Sequence, residues 1–211
     1  MNRLLLLLSL AGLVAGCAAI PPEEVKPFED YADWLLLGPL RYQIGDTEFE
    51  VVVPAGFVTD YASIPRALCH VLPKHGRHSR SAIVHDYLYW KQECTRGQAD
   101  KIMYLAMAES GVDPTTRYTM YKALERFGEA AFVSNKNDRD DHLPRLIPLD
   151  SEYMADPTKG VWPEYRKYLR QQKVPLDERG PAPTYCAAAD RLYKQARSTR
   201  PSWWQFWKWG R

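Results

Sequence analysis

The sequence carries almost no net charge, and this scarcity excludes one broad class of function. Its 211 residues hold 28 lysines and arginines against 26 aspartates and glutamates, a formal net charge of +2 at pH 7. Proteins that bind nucleic acid through a polycationic surface carry a clear excess of positive charge. We therefore expect no nucleic-acid partner.

The sequence also lacks an apolar run at its start that is long enough to span a membrane. A basic residue, Arg3, precedes the leucines of 4–8, and the segment ends in the small residues Ala15 and Gly16. A basic start, a short apolar centre and a small-residue cleavage site are typical of a secretory signal. Residues 1–16 are therefore predicted to be a signal peptide.

The residue after this signal is a cysteine. Val14-Ala15-Gly16-Cys17 resembles the bacterial lipoprotein signal, in which the cysteine is acylated and becomes the new N-terminus. Ala18 resembles the residue found there in lipoproteins of the outer membrane. The resemblance implies a lipid anchor on Cys17 at the periplasmic face of the outer membrane, with the membrane as partner. The alternative is an ordinary signal peptide with a coincidental cysteine.

Only three cysteines remain beyond the lipidated one: Cys69, Cys94 and Cys186. In an oxidising compartment two of them could pair, and the odd count leaves one free or intermolecular. We expect Cys69 to pair with Cys94, which would tie the segment before the first long helix to the turn that follows it.

Two helical patterns in the middle of the chain are predicted to form an antiparallel hairpin. Residues 80–90 and 97–107 each repeat apolar residues at helical spacing, and the break between them falls near residues 92–95. At about 1.5 Å of rise per residue, His85 and Asp100 lie at similar heights from the turn. The carboxylate of Asp100 could then hold the imidazole of His85.

This pairing has the elements that a water-activating histidine requires. One ring nitrogen takes a proton from water, a carboxylate orients the other, and a second carboxylate can bind a divalent cation that stabilises an oxyanion. His85, Asp100 and Asp86 would fill these roles in that order. The alternative is a satisfied core histidine, with Asp86 on the helix rim and Asp100 favoured by the helix macrodipole.

The segments before the hairpin are predicted to be a tether, a small sheet and a polar loop. Residues 17–32 are rich in proline and acid, and strand-like residues at 34–44 and 49–53 predict a β-hairpin. Asp60 either caps a turn or supplies oxygen to a cation, whereas Thr59 and Ser63 are expected only to cap. Three histidines (His70, His75 and His78) lie in a loop, where a solvated basic segment is favoured over a zinc site.

The C-terminal half is predicted to be one long helix followed by irregular chain. The helix starts after Asp113-Pro114 and runs to about residue 136, which ends a globular core at 33–136. A proline-rich extension, 137–182, holds at most a short helix at 163–172, and a last helix covers 183–199.

A tail of aromatic and basic residues at 200–211 ends the chain. Aromatic rings flanked by lysine and arginine suit the membrane-water interface, and the alternative is that the tail folds back on the domain. The interfacial side chains would be Trp203, Trp204, Phe206, Trp207 and Trp209.

Several separated motifs resemble one family of phage and bacterial proteins. The motifs are Gly56-Phe57-Val58-Thr59-Asp60 with Ser63-Ile64-Pro65-Arg66, then His85-Asp86-Tyr87-Leu88-Tyr89, Ala99-Asp100 and Arg126-Phe127-Gly128. Together, over residues 35–135, they resemble the family catalogued as domain of unknown function 1353. The resemblance implies a phage-related origin and little about activity.

A shorter resemblance carries more chemistry. The His-Asp-x-x-Tyr pattern of residues 85–89 is similar to the motif of secreted and prokaryotic phospholipases A2. It implies that His85 activates water, Asp86 binds Ca²⁺ or another divalent cation, Asp100 orients His85 and Tyr89 supports the network. A glycine-rich calcium loop is missing, so Asp60 would have to replace its carbonyl oxygens.

The sequence therefore predicts an α+β protein: a small N-terminal β-hairpin or sheet on a mainly helical core, with a proline-rich extension. The functional prediction is a lipid-anchored cell-envelope protein with a His-Asp hydrolase-like site acting on ester bonds of lipids or another envelope component. The alternative is a non-catalytic envelope or phage-derived module, in which the same polar residues form a buried network that fixes the fold.

Overall fold

The chain folds as an α+β protein, with small antiparallel sheets near the N-terminus and helices after them. The computed structural model describes residues 24–61, 78–149, 153 and 156–198. The strands are β1 (Val25–Pro27), β2 (Trp34–Leu36), β3 (Leu40–Gln43), β4 (Glu50–Val53) and β5 (Val58–Thr59). The helices are α1 (Ser79–Lys91), α2 (Arg96–Glu109), α3 (Pro114–Asp140), α4 (Trp162–Gln171) and α5 (Thr184–Ser198), with a short 3₁₀ turn at Pro157–Lys159.

The expected hairpin is present, but it is shorter than predicted and shares the N-terminal region with a second sheet. Strands β3 and β4 pair antiparallel, with Leu40 opposite Val53 and Gln43 opposite Glu50. Strand β2 instead lies between β1 and β5 in a three-stranded sheet. Residues 25–27, assigned above to the tether, are therefore part of this sheet.

The helical hairpin of α1 and α2 forms as the sequence predicts. Helix α1 ends where Gln92 takes a left-handed conformation with φ of 51°. Helix α2 then starts at a capping box, in which the Thr95 side chain accepts from the backbone of Gln98 and the Gln98 side chain accepts in return. These two devices reverse the chain within a few residues and bring the inner faces of both helices together.

Helix α2 is central, because α1, α3 and α5 all pack against it. Asp113 caps α3 by accepting hydrogen bonds from the backbone of Thr115 and Thr116, as expected, and the helix extends to Asp140 rather than to residue 136. Leu124 and Met120 of α3 meet Met103 and other buried side chains of α2 in a small cluster.

A disulfide holds the last helix to the turn of the hairpin. It joins Cys94 to Cys186, which are separated by 92 residues in the sequence. The expected pairing of Cys69 with Cys94 is therefore wrong. Sequence separation does not reveal which chain segments share a neighbourhood, and here the packing of α5 on α2 decides the partner.

The proline-rich extension is an integral part of the fold. Trp162 and Leu169 of α4, together with Ile147, pack on Phe28 and Leu35 to form a second apolar cluster. Residues 145–147 run beside residues 56–58, joined by backbone hydrogen bonds of 3.0 Å (Val58 N to Arg145 O) and 2.8 Å (Ile147 N to Gly56 O).

This close approach requires a glycine at position 56. Gly56 has a φ of +88°, and a Cβ built there would lie 2.0 Å from the carbonyl oxygen of Ile147. The glycine of the first motif thus lets the extension lie against the end of β5. Through the described part of the chain, no helix combines the length and apolarity needed to cross a bilayer.

Candidate functional site

The centre of the candidate site is a contact between the two helices of the hairpin. Nε2 of His85 on α1 lies 2.9 Å from Oδ1 of Asp100 on α2. Both side chains are almost fully buried, with 1% and 2% of their surfaces exposed. The level placement predicted from the hairpin geometry is therefore confirmed. Because an ionised carboxylate only accepts hydrogen bonds, Nε2 carries the proton and Nδ1 is the basic nitrogen of the ring.

Asp100 is held by two further donors. The Tyr89 hydroxyl donates to the same Oδ1 at 2.7 Å, and the Arg96 guanidinium donates to Oδ2 at 3.1 Å. Burial and the negative charge of Asp100 both raise the pKa of Tyr89, so the phenol stays protonated and remains a donor. The carboxylate thus has an imidazole, a phenol and a cation as partners.

Arg96, which sequence reasoning missed, connects this network to α3. One of its nitrogens donates to the carbonyl oxygen of Leu124 at 3.0 Å, and another pairs with Glu129 at 2.9 Å. Its spacing of four residues from Asp100 was the available signal, because residues i and i+4 of a helix are neighbours on its surface.

The Tyr89 ring sits between the histidine and α3. Its centroid lies 4.0 Å from that of His85, and it meets Phe132 edge-on at 5.2 Å. A Cβ built on Gly128 would lie only 2.5 Å from the Tyr89 hydroxyl oxygen. Gly128 therefore lets α3 approach closely enough to enclose the phenol.

The second carboxylate of the motif faces the N-terminal sheet. Asp86 is buried, and its Oδ2 accepts a hydrogen bond of 2.6 Å from the Thr59 hydroxyl. The same Thr59 oxygen accepts from the backbone N–H of Tyr61 at 3.1 Å. Thr59 was expected only to cap a turn, and it does so while also linking the β5 motif to α1.

Asp60 is paired with an arginine that the sequence analysis did not single out. Nη2 of Arg145 donates to Asp60 Oδ1 at 3.0 Å. The other two guanidinium nitrogens, Nε and Nη1, donate to Val58 O and to Asn135 Oδ1, each at 2.9 Å. Burial opposes the charge of Arg145, but the carboxylates of Asp60 and Asp86 raise its pKa. The guanidinium is thus the positive charge set against both carboxylates.

Two features concealed Arg145 in the sequence. It follows Pro144 in a segment that looked irregular, and no spacing rule connects it to Asp60, 85 residues earlier. The signal that could have found it is the excess of acid in the motifs, because buried carboxylates need a cationic or hydrogen-bonding partner.

The residues proposed as metal ligands do not form a recognisable cluster on their own. Asp86 and Asp60 offer the oxygen ligands that Ca²⁺ prefers. Across the described ranges, however, no three histidine, cysteine, aspartate or glutamate side chains converge as a metal site would require. A divalent cation at Asp86 and Asp60 stays a prediction, and we derive no chemical step through it.

Several residues singled out in the sequence lie outside the described ranges. They include Cys17, the predicted lipidation residue, the loop residues Ser63, His70 and His75, and the aromatic tail residues Trp203, Trp204, Phe206, Trp207 and Trp209. His78, by contrast, is described and buried at the residue before α1.

Part of the chain matches a family whose function is not known. Residues 34–124 match the family described as protein of unknown function (DUF1353), so this part of the chain is a domain of that family. The match covers the three-stranded sheet's β2 and β5, the β3–β4 hairpin, α1, α2 and the first part of α3. No curated protein and no solved structure shows significant similarity to the chain.

We predict that Gly128→Ala disturbs the network although alanine favours helices. In an unconstrained helix interior this change stabilises by about 1 kcal/mol. Here the new methyl group would meet the Tyr89 hydroxyl at 2.5 Å, so we expect a net loss of about 1–3 kcal/mol as the bond to Asp100 is displaced. Chemical denaturation of the full chain measures the loss.

Gly97→Ala is the matched control for that measurement. Gly97 lies in the first turn of α2, and a Cβ there would have nothing within 4 Å. We expect no loss of stability from this control. Equal effects of the two substitutions would contradict the close packing of Gly128 against Tyr89.

A partly exposed carboxylate near Arg145 should make stability depend on pH. Burial, followed by the charge of Asp60, raises the pKa of Asp33 to about 6 from 3.8. Between these values the folded chain keeps a proton that the unfolded chain has released, so stability falls as pH rises through about 4 to 6. Asp33→Asn should flatten this fall, by up to ~2 kcal/mol after discounting for solvent screening.

Urea denaturation at several pH values in this window tests the prediction. Asp46→Asn, a change at an exposed turn residue, is the control and should leave the slope as it is. A slope that Asp33→Asn does not alter would show that Asp33 titrates alike in the folded and unfolded chains.

Proposed function

We propose that this protein is a lipid-anchored hydrolase of the bacterial cell envelope, in which His85 is the general base and acts on ester bonds of lipids or another envelope component. The observation that carries the proposal is the bond between His85 Nε2 and Asp100 Oδ1, reinforced on the same oxygen by Tyr89. These are the residues, in the roles, that the similarity to the phospholipase A2 motif implies.

The chemistry follows from the orientation of the imidazole. With Nε2 directed at Asp100, Nδ1 is the nitrogen that takes a proton from water as the water oxygen attacks the ester carbonyl carbon. The imidazolium formed is stabilised by the Asp100 carboxylate, and it returns the proton to the alcohol oxygen as the carbonyl–oxygen bond breaks. Water and ester are thereby converted into an acid and an alcohol, and the histidine ends as it began.

The charges around Asp100 support this role. Arg96 and the Tyr89 phenol hold the carboxylate in one position, so the imidazole keeps one tautomer and one orientation. Such preorganisation lowers the cost of reaching the transition state, because the donors need not reorient during the reaction.

The deep burial of the pair favours a second candidate function. Only 1% of His85 and 2% of Asp100 are exposed, and buried polar networks of this kind also serve to fix a fold. In that case the protein is a non-catalytic envelope module, and its histidine contributes to stability alone.

His85→Gln distinguishes the two functions. A glutamine amide can still donate to Asp100, but it cannot take a proton from water. The full chain is mixed with phospholipid vesicles under two conditions, one with added Ca²⁺ and one with a chelator. We expect it to release fatty acid under at least one of them. His85→Gln should reduce that rate by at least ~100-fold, the usual contribution of a general base, with a similar melting temperature.

The control is His142→Gln, the same substitution at an exposed histidine beyond α3, which should keep the parent rate. No release by the parent chain under either condition would contradict hydrolysis of lipid esters. Unchanged release with His85→Gln would rule out His85 as the base. A variant that is inactive only because it unfolds would favour the structural network.

The membrane attachment in this proposal rests on the N-terminal sequence. Acylation of Cys17 is expected from the lipoprotein-like signal, and the aromatic and basic tail at 200–211 would add an interfacial contact. In cells, Cys17→Ser should move the protein from the membrane fraction to the soluble periplasmic fraction. The unchanged parent and a Cys69→Ser variant are controls, and equal membrane retention of all three would contradict the anchor.

A further inference from the structure

Four tyrosines gather where α2, α3 and α5 meet. Tyr104 of α2, Tyr121 of α3 and Tyr193 of α5 are buried together, with ring centroids 4.8, 5.0 and 5.9 Å apart. Tyr118, one turn before Tyr121 on α3, packs against this cluster and is only partly buried. The cluster therefore brings an aromatic ring to the protein surface at Tyr118.

Two exposed cations lie beside this ring. The Arg197 guanidinium of α5 is 5.6 Å from the ring centroids of both Tyr118 and Tyr193. Lys122 of α3 lies near the same two tyrosines, and both cations are exposed. Half-buried rings next to lysine or arginine suit a membrane-water interface, because the ring can enter the boundary while the cation meets a head group.

The outer face of α5 continues this positive surface. Arg191 and Lys194 are exposed, and their spacing of three residues places them on one side of the helix. Within the described ranges, neither side chain forms an ion pair or a hydrogen bond. Their charges are therefore available to a partner.

The acids on this side of the molecule already have partners. Asp190 of α5 pairs with Lys101 of α2, and Glu125 of α3 pairs with Lys122. Asp113 accepts hydrogen bonds from the first backbone amides of α3. The basic side chains of α5, by contrast, form no ion pair with any carboxylate of the described chain, so this surface carries an excess of positive charge.

The surface lies at the point where the aromatic and basic tail begins. Helix α5 ends at Ser198, directly after Arg197. Residues 199–211 add Arg200, Lys208 and Arg211 and contain no acid. The segment predicted above to lie at a membrane interface is therefore continuous along the chain with the positive surface of the folded domain.

An anionic phospholipid bilayer matches these features. Its head groups form an extended layer of negative charge, which several separated cations can meet at once. Its interfacial region also accommodates the amphipathic ring of a tyrosine. A neutral bilayer would offer no net charge to the cations, and a small soluble anion would contact only those nearest to it.

We propose that one surface of the folded domain docks on an anionic phospholipid bilayer. This α3–α5 surface consists of Tyr118, Lys122, Arg191, Lys194 and Arg197. The inference rests on the membrane location in the proposed function and deepens it by naming the class of lipid. It requires neither hydrolysis at His85 nor acylation of Cys17.

Co-sedimentation of the full chain with phospholipid vesicles tests the proposal. The chain carries Cys17→Ser, so that acylation cannot contribute to binding. We expect tighter binding to vesicles of phosphatidylglycerol and phosphatidylcholine than to vesicles of phosphatidylcholine alone. Added salt should weaken the binding to the anionic vesicles, because it screens exposed charges.

The double substitution Arg191→Gln and Lys194→Gln should weaken binding to the anionic vesicles about 30-fold. This loss corresponds to about 1 kcal/mol for each basic residue near an anionic surface. The melting temperature should stay that of the parent, because neither side chain has a partner in the described part of the chain. The matched control is Lys167→Gln with Arg170→Gln, the same change of charge at the same spacing on exposed residues of α4, and it should keep the parent affinity.

Several results would overturn the proposal. They are equal binding to neutral and anionic vesicles, parent-like binding by the α5 double variant, and an equal loss in the α4 control. Displacement by millimolar inorganic phosphate would identify a small-anion site instead, and tighter binding to a single-stranded oligonucleotide would identify a nucleic-acid surface. Fatty-acid release and Cys17-dependent retention are separate measurements, so failure of the proposed function can be distinguished from failure of this surface.

Discussion

The structure depends most on the need to surround buried charges with partners. Asp100 is almost fully buried, and an isolated carboxylate in such a place would cost many kcal/mol. Its two oxygens are met by His85, Tyr89 and Arg96, which lie on both helices of the hairpin. Arg96 and Tyr89 also contact residues of α3. The partners of this one carboxylate therefore fix the relative positions of three helices.

Arg145 extends the same constraint across the molecule. It lies in the extension but contacts the N-terminal motif, because it pairs with Asp60 and donates to Val58 O. The carboxylate of Asp86 on α1 also stabilises its charge. The family match ends at residue 124, so this arginine lies beyond it. The cation that balances Asp60 and Asp86 therefore comes from chain outside the matched region, and the proline-rich extension serves the site as well as the fold.

The sequence predicted the local structure well where one physical pattern acted alone. Helical periodicity and the break at 92–95 placed His85 opposite Asp100, since helix rise fixes the height of each residue in a hairpin. Asp113 and Pro114 marked the start of α3. The pairing of strand β2 with β1 and β5 was missed. The sequence of a short strand does not specify which strand it pairs with, and Val25–Pro27 resembles a tether in composition.

By itself, the sequence determined the α+β class, the helical hairpin and the meeting of His85 with Asp100, all of which rest on spacing within a short stretch of chain. Only the tertiary structure decided that Arg145 pairs with Asp60 and that Cys94 bonds to Cys186. These contacts join residues far apart in the chain. The packing of whole helices and strands determines these contacts, and local periodicity in the sequence does not predict them.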